Sequence, residues 1–191
     1  MTGDEVLTAV EGHLSDVLGV PTGRAEVSFL GTDRVEVLRF EHGGLTHYVT
    51  LGMSRAPMAD PGTDLVAQHG PRAELVLTLR SRQDSVLRRL AVLAASPAVE
   101  GVVIAPGAGL DVGEPLWDGA RCTAVIVGEP GALVPDLPLE GEEPVRFLPV
   151  FAVTPNEAAW KRVHGGAALE ERWLIQGLDP RDPQRAEADL A

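Results

Sequence analysis

The sequence predicts an α/β (α+β) protein, in which a mixed, mainly antiparallel sheet is covered by helices. Three observations predict it. Runs that alternate apolar and polar residues fall at 33–53 and 73–80, the period of a strand with one buried face. Runs of helical period fall at 4–18, 84–96, 155–164 and 167–177. The two kinds of run interleave, which segregates helices and sheet into packed layers.

The first helix is read from Val6, Val10, Leu14 and Val17, with Gly19 and Pro21 closing it. "AEVSFL" and "RVEVLRFEH" follow as strands, and Gly43-Gly44 turns the chain into "LTHYVTLGM", a hairpin signal. With that turn, His42 faces Leu45, Phe40 faces His47, Leu38 faces Val49 and Glu36 faces Leu51. One face then holds Leu38, Phe40, Leu45, Val49, Leu51 and Met53. The other holds Arg39, Glu41, Thr46, Tyr48 and Thr50, with Val37 as its apolar exception, and is expected to be the polar face. A slip of one residue would mix the two sets.

"RAPMADPGTDLVAQHGP" comes next, 17 residues with three prolines and no usable period. Connections of that length are usually functional or mobile. "RAELVLTLR" then places Ala73, Leu75, Leu77 and Leu79 on one face and Glu74, Thr78 and Arg80 on the other. The helix from Asp84 is expected to stop at Pro97. A short apolar run and glycine-rich chain lead to "CTAVIV", a buried strand near 122–127. A Pro/Gly-rich acidic connection separates it from "PVRFLPVFAV", near 145–153. "TPNE" is a capping box: Thr154 at the N-cap, Pro155 at the first helical position and Glu157 three residues after the cap. The last helix ends at Gly177. Residues 1–178 are expected to form a single domain, and 179–191, without an apolar face, an acidic frayed tail.

The chain has 191 residues and is 45% hydrophobic, enough for a sizeable core. Its net charge of −12, from 28 acidic and 16 basic residues, repels phosphate backbones, so no nucleic acid is expected as a partner. The same charge favours a basic partner. No apolar run approaches the roughly 18 residues that span a bilayer. The N-terminus lacks the basic start of a secretory signal, and Cys122 is the only cysteine. Together these point to the cytoplasm, with no membrane association.

No chemical constellation stands out. His13, His42, His47, His69 and His164 have no metal-binding spacing and no cysteine ligands, so no metal or cofactor is expected. His47 falls on the apolar hairpin face and reads as a core histidine. Cys122 opens an apolar strand and reads as an inert thiol. Ser54 and Ser81 lack a nucleophile elbow. "GAGLDVG" at 107–113 has no Walker lysine and opens no helix. Catalysis is therefore not expected; an enzyme with a pocket under the 54–71 loop, or a structural subunit, are the alternatives.

The collinear order of "HYVTLGMS" with its long loop, "AELVLTL", "DSVLRRLAVLA", "VRFLPVFAVTPNE", "HGGAALEERWL" and an Asp-Pro-Arg-rich end resembles the suppressor of fused family. The resemblance runs from about residue 30 to residue 185. It implies a mixed α/β fold, no enzymatic activity, and a role in binding other proteins. The family's animal members have two domains and sequester zinc-finger transcription factors of the Hedgehog pathway; this chain resembles the first domain. It also resembles the shorter bacterial members, which implies an immunity or antitoxin-like protein that occludes a toxin. In the animal members the partner adds as a strand beside a tyrosine and a loop aspartate. Tyr48 and Asp60 match those positions, and Ser54 and Arg55, which open the loop, complete the expected partner-binding set. On this expectation Tyr48 faces outward while the other hairpin face builds the core.

Overall fold

The computed structural model of the protein describes residues 1–59 and 69–191. Helix α1 (Gly3–Leu18) opens on a capping box that Thr2 and Glu5 form reciprocally. Its buried stripe is Val6, Val10, Leu14 and Leu18, the helical spacing seen in the sequence. Strands β1 (Gly23–Val27), β2 (Val35–His42) and β3 (Leu45–Leu51) follow, then β4 (Arg72–Leu79) and helix α2 (Val86–Glu100). The chain continues through β5 (Gly109–Asp111), β6 (Ala124–Val127) and β7 (Val145–Val153) to helices α3 (Pro155–His164) and α4 (Gly166–Ile175).

The β2–β3 register is the one read from the sequence, from Glu36 opposite Leu51 to His42 opposite Leu45. Gly43 and Gly44 both have positive φ, 62° and 75°, as the two-residue turn of a twisted hairpin requires. The described strands form one sheet in the order β1-β2-β3-β4-β7-β6-β5. Neighbours are antiparallel except β4 and β7, which run parallel. The capping box at Thr154 and Glu157 starts α3 as the sequence indicates.

Both faces of the sheet are covered. On one face, α1 packs over Leu38, Phe40, Val49 and Leu51. Helix α4, through Leu169 and Trp173, packs on Ala124, Ile126 and Val153. Residues of one parity in β7 serve both clusters, Val145 and Phe147 the first and Phe151 and Val153 the other, so both lie on the same side. Helix α2 covers the opposite face, packed on Val37, Tyr48, Leu75, Leu77, Leu148 and Val150. Among the described residues no helix is long and apolar enough to cross a membrane.

Three expectations are corrected. The hairpin face carrying Thr46, Tyr48 and Thr50 is not a solvent face: all three are buried, and Tyr48 packs in the cluster that α2 covers. Glu74 is buried too, since β4 is a central strand covered on both sides. Pro97 does not stop α2, which runs to Glu100. A proline cannot donate to the carbonyl four residues back, and Ser96 Oγ takes that place, donating to Leu93 O at 2.6 Å.

The tail does not fray. Arg185 bonds both carboxylate oxygens of Glu157, at 2.8 and 2.7 Å, and donates to Ala152 O at 2.9 Å. Ala188 is buried against α4, and Arg172 and Gln176 bond the backbone of 189–191. Polar residues hold this segment, which is why no apolar face announced it.

Glu157 is fully buried and Arg185 nearly so. Burial alone would push the Glu157 carboxyl up; Arg185 and the N–H groups of Ala188 and Thr154 outweigh it and hold the carboxyl below its usual range. A depressed carboxyl contributes stability above the unfolded value of about pH 4, lost as pH falls further. Arg185→Ala leaves that charge unpaired and is expected to cost about 3–5 kcal/mol at neutral pH. Denaturant unfolding between pH 3 and 7 checks it: the variant should be less stable and show a flatter acid limb.

Candidate functional site

Strands β3 and β4 pair only from Thr46–Leu79 to Val49–Val76 and then part. A buried carboxylate fills the fork. Glu74 Oε2 accepts from Thr50 Oγ1 at 2.6 Å, and Oε1 accepts from Gly52 N, Ser54 N and Ser54 Oγ at 2.9, 2.9 and 2.5 Å. Thr50 Oγ1 also accepts from Leu75 N at 2.8 Å, replacing a ladder bond that the fork removes. Two residues away on the same face of β4, Arg72 Nη1 donates to Ser54 O and Arg55 O at 2.8 and 3.0 Å. The turn at Met53–Arg55 is thus held by its N–H groups from Glu74 and by its carbonyls from Arg72. Burial pushes the Glu74 carboxyl above its ordinary range, against the donors of Ser54, Thr50 and Gly52.

The four residues expected to bind a partner are distributed unevenly. Tyr48 is fully buried, which corrects the expectation that it faces outward. Its hydroxyl donates to Asp84 Oδ1 at 3.0 Å and accepts from Gln83 N at 2.7 Å. Arg39 pairs with the other Asp84 oxygen at 2.5 Å and donates to Thr22 O at 2.6 Å. Tyr48 therefore ties β3 to the segment that starts α2, and burial pushes its hydroxyl well above the usual range. Ser54 is fully buried on Glu74. Arg55 reaches the surface beside Asp4 and Asp33. Asp60 lies outside the described residues.

Arg55 borders a groove of about 530 Å³ between the 52–57 turn and α2, walled by Asp33, Val35, Met53, Ala94 and Pro97. Its walls are small apolar side chains with one acid and one base, a surface suited to a chain segment. The other titratable candidates are committed elsewhere. His47 is buried; its Nε2 bonds the His42 carbonyl at 3.1 Å, so Nε2 carries the proton and Nδ1 accepts the Thr78 hydroxyl at 2.8 Å. Burial lowers its pKa. Burial pushes the Cys122 thiol up to about 11, far from a nucleophile. No group of three or more metal-ligating side chains lies together among the described residues. Within "GAGLDVG", 109–111 forms the edge strand β5.

The family model described as suppressor of fused protein matches residues 31–186. The chain belongs to the suppressor of fused family. Its fold is similar to that of a suppressor of fused homologue from Neisseria gonorrhoeae, with a TM-score of 0.69 at 17% identity, covering 96% of this chain and 97% of that one. It is similar to Sufu in the crystal structure of the Sufu–Fu complex, with a TM-score of 0.68 at 14% identity, covering 95% and 91%. It is also similar to Drosophila Suppressor of Fused, with a TM-score of 0.65 at 15% identity, where 95% of this chain covers 50% of the other. No curated protein matches by sequence.

Sequence reasoning missed Glu74, Arg72 and Asp84, the residues that hold the 52–55 turn and Tyr48 in place. Two signals were available. Val37 sat on the supposedly polar face of the hairpin, and Glu74 followed Arg72 at strand spacing inside a run of apolar residues.

Tyr48→Ala is expected to destabilise by about 3–5 kcal/mol, as truncation of a buried aromatic does, and Tyr48→Phe by about 1 kcal/mol for its lost hydrogen bonds. Urea unfolding of the two variants checks both. A raised carboxyl stabilises below the unfolded value of about pH 4, and that contribution is lost as pH rises through the folded one. Glu74→Gln is therefore expected to abolish this decline, while Glu74→Leu orphans four donors and should cost at least about 3 kcal/mol. Stability measured from pH 4 to 8 checks the pair.

Proposed function

We propose that this chain is a non-enzymatic protein-binding module, which acts by occupying a partner and not by turning over a substrate. In this proposal its partner is a basic protein, masked as an immunity protein masks a toxin in the cytoplasm. One observation carries the proposal: nearly the whole chain shares its fold with Sufu, a protein solved in complex with Fu. The net charge of −12 supports a basic partner, because complementary charge speeds encounter and disfavours acidic competitors.

Arg55 and the groove beside it form the contact region of this proposal, and Asp60, which lies outside the described residues, completes the proposed partner-binding set. Tyr48 and Ser54 serve it from beneath, by fixing the ends of the segments that frame the groove. Loops on a rigid scaffold commonly carry binding in this way.

Affinity capture on the full chain from its native host, at low salt, is expected to recover one basic protein in equal amount. Release should begin as ionic strength passes about 0.15 M, where exposed charges are screened over roughly 8 Å. The gene beside it is expected to encode that protein, a secreted toxin. Capture of no protein, together with turnover of a metabolite by the pure chain, would overturn the proposal.

A further inference from the structure

The face of the sheet that carries α1 is covered twice, by α1 over β2 and β3 and by α4 over β6 and the end of β7. A cleft of about 260 Å³ opens beside Leu45, Val76, Phe147, Pro149 and Phe151, walled on one side by Gly131 and Val134. A Cβ added to Gly128 would meet Phe151 Cε2 at 2.8 Å, so the chain leaving β6 starts close against that ring.

Size and polarity narrow the occupant. The cleft exceeds the roughly 150 Å³ that takes a benzene ring, and falls short of the ~300–1,000 Å³ of pockets for whole small molecules. One large apolar side chain fits. The polar groups at its edge are already engaged. Both ring nitrogens of His47 are bonded, and Arg181 holds Asp179 through two bonds of 3.0 Å. A polar ligand would find no orienting pair there.

Charge narrows it further. No lysine or arginine occurs from Cys122 to Val145. Glu129, Asp136, Glu140 and Glu143 are exposed, and none has an ion-pair partner among the described residues. Glu142 alone in that connection is neutralised, by the Met1 amino group at 3.2 Å and by Arg72 at 2.6 Å.

We infer that this cleft is a second docking surface, taking one large apolar side chain from a basic segment of the partner protein. The inference rests on the protein-binding proposal above. A second copy of this chain is disfavoured as occupant, because two bodies of charge −12 repel.

The probes are three short amidated peptides: a tryptophan flanked on each side by two arginines, the same peptide with glycine for tryptophan, and the same with glutamates for arginines. Amide shifts on the full chain should centre on Leu45, Thr78 and Phe151 with the first peptide. The second and third should bind at least tenfold more weakly. A Cβ at Gly131 would have nothing within 4 Å, so Gly131→Trp adds bulk to the cleft wall with no clash at Cβ. It should keep the native melting temperature and weaken the first peptide at least tenfold. Asp136→Lys combined with Glu140→Lys should weaken it similarly.

Equal binding of the tryptophan and glycine peptides would overturn the inference, as would shifts centred elsewhere. An apolar small molecule co-purifying in the cleft, or a dimer abolished by Gly131→Trp, would overturn it in favour of those occupants. A native partner held by Gly131→Trp with undiminished affinity would overturn the cleft alone and leave the protein-binding proposal standing. Capture of no protein partner would remove that proposal and this inference with it.

Discussion

A carboxylate buried at the fork of β3 and β4 is the constraint on which the candidate site depends. An isolated charge in an apolar interior costs several kcal/mol, so such a group persists only where donors converge on it. Glu74 has four, and they come from the residues that must change direction: Thr50 at the end of β3, then Gly52 and Ser54 in the turn. Arg72 completes the arrangement by taking the turn's carbonyls and passing the linkage to Glu142 and the Met1 amino group. The end of a strand, a turn, the acidic connection and the N-terminus are thereby joined through two side chains of one central strand.

The same device recurs at the other end of the fold with a different balance. Glu157 is also fully buried, but a guanidinium sits on it, with Trp173 Nε1 donating at 3.1 Å and Ala188 N at 3.0 Å. A full countercharge outweighs burial and lowers the carboxyl, whereas the hydroxyls and amides on Glu74 do not and leave it raised. In each case a carboxylate organises chain outside the sheet and the longer helices, the 52–55 turn in one and the C-terminal segment in the other.

This explains what the sequence made legible. Period and caps carry local information, so the β2–β3 register, the capping box at Thr154 and the places of the helices could be read from Phe40, Gly43, Pro155 and their neighbours. What could not be read depends on partners distant in sequence. Tyr48 looked like an outward residue because its neighbours Thr46 and Thr50 are polar, yet all three are buried, Tyr48 in the cluster that α2 covers. Arg185 carries no periodic signal, and its partner Glu157 lies 28 residues away. Pro97 continues a helix because the preceding serine supplies the missing donor. Of the residues expected to bind a partner, Arg55 and its groove reach the surface, while Tyr48 and Ser54 are buried; a strand pattern cannot distinguish a polar side chain that faces water from one that faces a buried hydroxyl or carboxylate.

The acidic connection shows how one sequence feature fixes both shape and charge. Pro130, Pro135, Pro138 and Pro144 keep 128–144 from forming a helix or joining the sheet over its length. Its apolar residues must then serve as anchors: Val134 and Leu139 sink into the α1 cluster, and Leu137 bridges Val145. His13 of α1 bonds Pro135 O at 2.8 Å and stacks on Phe147 with ring centres 5.5 Å apart, fixing the helix against the connection. With Val134, Leu137 and Leu139 turned inward, Glu129, Asp136, Glu140 and Glu143 are left at the surface, and no base lies within the segment to neutralise them. The element that walls the cleft on the α1 face therefore also carries carboxylates unpaired among the described residues, while Arg181, the charged residue lining the cleft, is held by Asp179. Apolar room and negative charge arise here from a single stretch of proline-rich chain.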